Sequence, residues 1–334
     1  MAQRLDHARR LVEPALRLAV TRLDPITAAR AGYHFGWLEA DGSAAAAGGG
    51  KAVRPGLALL GARAVGADPE IALPGAVAVE LVHNFSLLHD DLIDGDAERR
   101  HRTTVWALWG GPSAILTGDA LLALAQEVLL DVPGPTGPAA ARLLAVATRE
   151  LIRGQIQDMA YERRPEVAVT EVLAMAEAKT AALLSASTAI GAVLAGAPAD
   201  VVSALADYGR HLGLAFQLVD DVLGIWGDPA VTGKPALSDL RSRKTSLPVA
   251  RVIGAGGAAA EEVAAWLAAG TEADEDLLRR IAEVLEEAGG RAWARQQAAR
   301  HARSATASLD RIKAPADVLT ELRELAAFVV GRET

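Results

Sequence analysis

Asp90-Asp91-Leu92-Ile93-Asp94 closes an apolar run that extends from Ile71 to Leu88. A second run, Leu212 to Val219, leads into Asp220-Asp221-Val222-Leu223-Gly224. Residues four apart share one face of a helix, so Asp90 and Asp94 are expected to project together. Such carboxylates repel, and each raises the pKa of the next unless something offsets their charge. A hard divalent cation does so. Mg²⁺ takes oxygen ligands, keeps several waters, and is commonly shared between one or two carboxylates and a substrate phosphate. Two such clusters can hold a polyphosphate from both sides. A solvated helix end with capping aspartates would explain either doublet alone. It explains two, each followed by cations, less well.

The cations are Arg99 and Arg100 after the first doublet, and Lys234, Arg241, Arg243 and Lys244 after the second. Gly50-Lys51-Ala52-Val53-Arg54-Pro55 is a further basic stretch near the N-terminus. Arg presents a planar fork to phosphate oxygens and Lys a point charge.

Composition sets the class around these motifs. The 334 residues are 51% hydrophobic but only 4% aromatic, with Ala and Leu dominant, which favours close-packed helices over sheets. The period is helical throughout, and no alternating strand pattern persists. Helices are expected over about 1–24, 53–66, 71–93, 112–130, 137–162, 168–195 and 199–226, with five shorter ones from 244 to 330. Residues 31–50 look irregular, carrying Gly32, Gly36, Gly42 and Gly48-Gly49-Gly50. No Pro/Ser-rich linker and no repeat divides the chain, so 1–334 reads as a single all-α domain. The absence of Cys excludes disulfides, zinc-thiolate sites and a cysteine nucleophile, and fits a reducing cytoplasm. The net charge of −8 argues against a nucleic-acid surface. The most apolar stretch, Ala181 to Ala197, carries Ser185, Ser187 and Thr188 and falls short of the ~20 residues a membrane span needs, so no transmembrane segment is expected.

Other motifs point elsewhere and fail. Gly254-Ala255-Gly256-Gly257 lacks a preceding strand and a full dinucleotide fingerprint, and Gly50-Lys51 lacks the Ser or Thr of a phosphate loop. His7, His34, His101, His211 and His301 show no metal-ligand spacing. His83, two turns before Asp90, lies on the aspartate stripe and is either a structural histidine or a diphosphate contact.

Together these motifs resemble the trans-isoprenyl diphosphate synthases of the polyprenyl synthetase family. Asp90 to Asp94 with Arg99-Arg100 looks like the first aspartate-rich motif, and Phe216-Gln217-Leu218-Val219-Asp220-Asp221 like the second. Gly233-Lys234, Asp239-Leu240 and Lys244 are similar to the segment that follows it. The stretch from Gly50 to Pro55 resembles the isopentenyl diphosphate loop, and Glu80-Leu81-Val82-His83 its partner histidine. Lys179-Thr180, Gly154-Gln155 with Asp158, and Gly118-Asp119 also match. The likeness is strong from 48 to 250 and weak over 1–47. Three positions depart from it: Gly224 replaces the third acid of the second motif, His101 a common Gly, and Thr103 a common Pro.

The resemblance implies a helical bundle around a deep central cavity, a homodimer, and Mg²⁺, three ions per site. It implies metal ligation by Asp90, Asp91, Asp94, Asp220 and Asp221. Arg99, Lys179, Lys234 and Lys244 would neutralise the allylic diphosphate. Lys51, Arg54, His83 and Arg100 would hold isopentenyl diphosphate, while Gln217 and Thr180 offer dipoles to the carbocation. The product chain would run down the helix below Asp90, where Phe85 lies five residues, or ~7.5 Å, deeper and Ser86 directly below. One aromatic there, with no insertion in the motif, resembles members that stop at geranylgeranyl diphosphate. Farnesyl diphosphate is the alternative product. A class I terpene cyclase would leave Lys51, Arg54 and His83 without work. A non-catalytic partner subunit would have no need of an intact first motif.

Overall fold

The computed structural model describes residues 2–45, 52–161, 164, 166–228, 236–269 and 274–331. Lys51, Lys234, Gly233 and Gly48 to Gly50 lie outside them. Contacts divide the chain into two compact units. The first comprises Met1–Thr148, Ala186–Ala206 and Ile312–Thr320, the second Arg149–Ser185, Asp207–Arg311 and Glu321–Thr334. The described residues are almost entirely helical, as the low aromatic and high Ala/Leu content predicts.

In the first unit, α1 (Ala2–Val20), α3 (Val53–Ala64) and α6 (Gly111–Leu130) pack around α4 (Leu73–Ile93). Helix α4 presents Leu81, Val82, Phe85 and Leu88 to the core, all 5% exposed or less. Burying such a side chain contributes roughly 1.5–3 kcal/mol before entropy is counted. Two glycines set the tightest crossing. A Cβ on Gly61 would lie 2.2 Å from the Thr188 carbonyl oxygen, and one on Gly191 would lie 2.0 Å from that of Ala58. Helix α3 therefore meets α9 (Ala182–Leu194) backbone to backbone, and Ala at either position would force them apart.

Sequence periodicity misjudges this unit in two places. The segment expected to be irregular from residue 31 begins inside a helix, α2 (Pro25–His34). Asp24 caps α2 by accepting hydrogen bonds from the Ile26 and Thr27 amides, and Pro25 sits at the first helical position. An antiparallel hairpin, β1 (Glu98–Arg99) and β2 (Arg102–Thr103), interrupts the helices where no strand was expected. Two residues per strand are too few to show an alternating pattern. The hairpin leads into α5 (Val105–Trp109).

The second unit holds the later part of α7 (Thr136–Tyr161), α8 (Val169–Ala176) and most of α10 (Ala199–Trp226). It continues through α11 (Ser238–Arg241), α12 (Leu247–Ile253), α13 (Gly257–Ala268), α14 (Glu275–Glu287), α15 (Gly290–Ser308) and part of α16 (Ala316–Val330). Ile225, Leu240, Val249, Val263, Trp266 and Leu278 form one of its apolar clusters. The helix expected over 168–195 is not uniform. Between α8 and α9 the backbone widens to a π-turn over Glu177–Ala181. Glycines make room for it: a Cβ on Gly154 would lie 2.3 Å from the Lys179 nitrogen, and one on Gly213 would lie 2.5 Å from the Ala181 Cα. The helix expected from residue 244 begins at Leu247, because Lys244 belongs to the turn that follows α11.

Among the described residues, two helices are long and apolar enough to cross a membrane: α4 with its preceding turn from Pro69, and α6. The stretch singled out in the sequence, Ala181 to Ala197, is not one of them. Most of α4 is buried inside the first unit.

Candidate active site

In the first unit the aspartates end α4. The Asp94 amide bonds to the Asp90 carbonyl oxygen at 2.8 Å, which keeps the pair on one helical face as their spacing predicts. Asp90 is half-buried and Asp94 exposed, while Asp91 is 1% exposed. Asp91 Oδ1 accepts a hydrogen bond from Arg99 Nε at 2.5 Å, but its Oδ2 is buried without a partner. Burial pushes the Asp91 carboxyl up, and Arg99 pulls it only partly back. An orphaned buried oxygen is costly unless a donor or cation completes it.

The hairpin presents the arginines. Arg99 pairs with Arg102 across it, leaving Arg100-His101 as a two-residue turn in which both residues have positive φ, 53° and 60°. That is the geometry of a type I′ turn, whose twist matches the strands and which normally carries Asn or Gly. The departure at His101 therefore has a local meaning. Where the resemblance implies a Gly, this chain holds a side chain in the left-handed region. The N-terminal segment ties the hairpin down. Tyr33 Oη donates to the Thr103 carbonyl at 2.7 Å, Arg102 donates to that of Leu38 at 2.6 Å, and the Arg102 guanidinium lies 4.5 Å over the Tyr33 ring. A cavity of about 360 Å³ opens among Tyr33, His34, Asp91, Arg99, Arg100 and Arg102. Tyr33, His34 and Leu38, from the segment weakly matched in the sequence, thus help build this wall.

Behind it, burial and then Arg54, Arg100 and Arg99 hold His83 well below the usual imidazole range. His34 is pushed down to about 3 by burial and by Arg99 and Arg100. Both are neutral at pH 7, so each can donate an N–H without adding charge. His34 Nε2 is itself buried without a partner. It was set aside on spacing alone, and only its place beside the arginines marks it. Phe85 and Ser86 are both buried. The Phe85 ring meets His89 edge-on at 4.8 Å. His89 lies so close to α6 that a Cβ on Gly118 would be 2.4 Å from its Nε2.

In the second unit an ion pair and a hydrogen-bonded chain start from adjacent residues of the π-turn. Lys179 donates to Asp158 at 2.6 Å from the π-turn, and the Thr180 hydroxyl donates to Gln217 Oε1 at 2.7 Å. Gln217 Nε2 passes the chain on to Asp221 Oδ1 at 2.9 Å, and the Leu247 amide donates to Asp221 Oδ2 at 2.9 Å. Lys244 Nζ lies 3.4 Å from Asp221 and 3.8 Å from Asp239. Burial opposes the lysine's charge, but Asp221, Asp239 and Asp158 outweigh it and its pKa is raised. Asp220, half-buried, sits beside Asp221 on α10. π-turns recur at functional sites because they re-aim side chains without ending a helix. Here the π-turn aims Lys179 at Asp158 and Thr180 at Gln217.

Among the described residues no three carboxylates or histidines converge as a ready metal cage. The donors nonetheless fit Mg²⁺. They are carboxylate oxygens, one of them buried and unpartnered, and Mg²⁺ draws most of its shell from water and phosphate.

The polyprenyl synthetase family model matches residues 36–285. The chain is 53% identical over 332 residues to a (2E,6E)-farnesyl diphosphate synthase of Mycobacterium tuberculosis, covering 98% of this chain and 92% of that one. It is 43% identical over 331 residues to a geranylgeranyl diphosphate synthase of the same organism, covering 98% and 93%. Its fold matches a polyprenyl synthetase from Streptomyces coelicolor A3(2) with a TM-score of 0.95 at 51% identity, over 98% of this chain and 99% of that one. With both aspartate motifs and their cations in place, the chain belongs to the polyprenyl synthetase family and is a prenyltransferase with the isoprenoid-synthase helical fold.

Proposed function

We propose that this chain condenses isopentenyl diphosphate with an allylic prenyl diphosphate and releases a short all-trans prenyl diphosphate. The supporting observation is a repeated pairing: Asp91 against Arg99 at the end of α4, and Asp221 against Lys244 beside α10. Such pairs set carboxylates for metal next to cations for phosphate.

In this scheme Asp90, Asp94 and Asp220 would hold Mg²⁺, with Asp91 and Asp221 beside them, and residues 1–334 act as a single domain. The bound metal, taken as three ions, would neutralise the charge that grows on the departing diphosphate. Arg99, Lys179, Lys244 and Lys234 neutralise the remainder. Arg54, neutral His83, Arg100 and Lys51 hold isopentenyl diphosphate so that its double bond meets the allylic carbon as the C–O bond breaks. Gln217 and Thr180 turn oxygen dipoles toward that cation. Forming the new C–C bond consumes the double bond and leaves the positive charge on its tertiary carbon, and loss of a neighbouring proton to the released diphosphate restores a double bond. Water must stay out, because it would trap the cation. The second copy of a homodimer would cover Ile115 and Leu116 of α6, which are 43% and 65% exposed. A Cys-free chain suits a cytoplasmic place.

The product in this scheme is geranylgeranyl diphosphate, because Phe85 is the one aromatic at the level below Asp90. A second reading, farnesyl diphosphate, is favoured by the higher identity to the farnesyl synthase, 53% against 43%. Chromatography of dephosphorylated products from Mg²⁺, isopentenyl diphosphate and primers of five, ten and fifteen carbons decides between them. Phe85→Ala is expected to lengthen the product by at least one five-carbon unit, since overpacking a floor costs about 1–3 kcal/mol and favours release. An unchanged distribution moves the floor off Phe85. A hydrocarbon formed without isopentenyl diphosphate would indicate a cyclase, and no product from any primer a partner subunit.

A further inference from the structure

The π-turn that carries Lys179 and Thr180 is held along one stripe of α10. Arg210, Gly213 and Gln217 recur three and four residues apart, so they share a helical face. Gly213 lets the Ala181 backbone approach, and Gln217 accepts from the Thr180 hydroxyl at 2.7 Å. Arg210 takes the first residue of the turn, with its Nη1 3.3 Å from Glu177 Oε1. The same guanidinium stands 3.9 Å from Asp207, which Arg311 also holds at 2.6 Å.

A half-exposed ion pair between two long side chains ordinarily holds little, because each end stays free to turn. Here the arginine end is fixed. Arg210 Nη2 donates to His211 Nε2 at 3.2 Å, and His211 Nδ1 faces Nδ1 of His301, on α15, at 3.0 Å. A guanidinium has no acceptor. His211 Nε2 must therefore carry the lone pair and its Nδ1 the hydrogen, which points at a bare His301 Nδ1. His301 keeps its own hydrogen on Nε2. A proton added to His211 Nε2 or to His301 Nδ1 would set two N–H groups face to face. Burial, then Arg210, hold His211 below the usual imidazole range, although Asp207 and Glu177 pull the other way. Burial, His211, Arg210 and Arg300 push His301 down to about 4. Both rings are neutral at pH 7, and the chain from α15 to the π-turn is intact there.

We propose that Arg210 is a positioning residue: the His211–His301 pair locks it against Glu177, and the lock fixes where the π-turn presents Lys179 and Thr180. The proposal rests on the prenyl-transfer reading, in which Lys179 meets the allylic diphosphate. The histidines act through the arginine, and the arginine through the turn. Loosening either link shifts the groups that face the allylic substrate and leaves those that hold isopentenyl diphosphate, Arg54 and His83, in place.

Three variants test this: Arg210→Met, which keeps the length without the charge, His211→Leu, and His211→Gln, which offers Arg210 an amide oxygen where Nε2 stood. Initial rates are measured with geranyl diphosphate and isopentenyl diphosphate varied separately, alongside thermal melting. Arg210→Met and His211→Leu should raise the KM for geranyl diphosphate about fivefold, with that for isopentenyl diphosphate within about twofold of wild type and melting little changed. His211→Gln should restore the geranyl diphosphate KM to within about twofold of wild type. Wild-type kinetics in Arg210→Met or His211→Leu would overturn the proposal. So would a loss shared equally by both substrates, a fall in kcat alone that follows the melting temperature, or a His211→Gln variant as impaired as His211→Leu. ¹⁵N-resolved histidine spectra of the wild-type chain at pH 7 give a check that needs no variant to fold. They should show hydrogen on His211 Nδ1 and on His301 Nε2, and the opposite tautomers would overturn the lock. If the wild-type chain made no prenyl product, the functional reading would fail. The spectra and the calorimetric affinity for inorganic pyrophosphate with Mg²⁺, about fivefold weaker in Arg210→Met, would still decide the role of Arg210.

Discussion

The two aspartate regions share a motif and differ in how far each is completed by protein. At the end of α4, Asp91 has one protein partner, Arg99, and one buried oxygen with none, beside an open cavity. On α10, Asp221 is saturated: Gln217, the Leu247 amide and Lys244 take up its oxygens, and Thr180 continues the chain. One carboxylate is held so that something else must complete it. The other is part of the structure that aims its neighbours. The same aspartate doublet can therefore carry two jobs, and the hydrogen-bond partners reveal which.

The largest effect that could break this contrast is catalytic. Asp90→Ala and Asp220→Ala should each lower kcat/KM by a factor of ~100 or more, because each removes charge that stabilises the transition state, with little change in melting. Steady-state kinetics at saturating Mg²⁺ with thermal melting checks both halves, and near-wild-type rates would remove these residues from metal binding.

The contrast itself is measured by stability. Asp221→Ala should cost ~2–4 kcal/mol, since it strands a buried amide donor and Lys244. Asp91→Ala should cost about 1 kcal/mol or less, since it also relieves an unsatisfied buried oxygen. Equilibrium urea denaturation of the two variants side by side gives the answer, and equal costs would mean that the clusters are equally finished.

The smallest effect sharpens the account of the first region. His101→Gly should stabilise the chain by about 0.5–1 kcal/mol, because relief of the left-handed strain exceeds the added freedom of Gly in the unfolded chain. A loss of stability would show that the His101 side chain makes a contact worth more than its strain.

Much of this was legible in residue order, for a physical reason. Helical faces repeat every three to four residues, so Asp90 with Asp94 and the buried run of α4 could be read from spacing. The strong local motifs also marked Lys179, Thr180, Gln217 and Lys244. Other elements were hidden because their cause is not local. The Arg100-His101 turn contains neither Asn nor Gly, and its two-residue strands show no period. The π-turn at Lys179 depends on Gly154 and Gly213, distant in sequence, to make room for it. His34 carried no signal at all until Arg99 and Arg100 were seen beside it.

The sequence by itself therefore determined the helical class, the two acidic motifs and the chemistry they suit, because composition and short-range periodicity encode them. Only the tertiary structure decided which carboxylates are saturated and which are left open. It alone showed that the Asp239 carboxylate lies against Gly224, fifteen positions earlier in the chain. Partnership depends on distances between residues that the chain order keeps apart, and folding alone sets those distances.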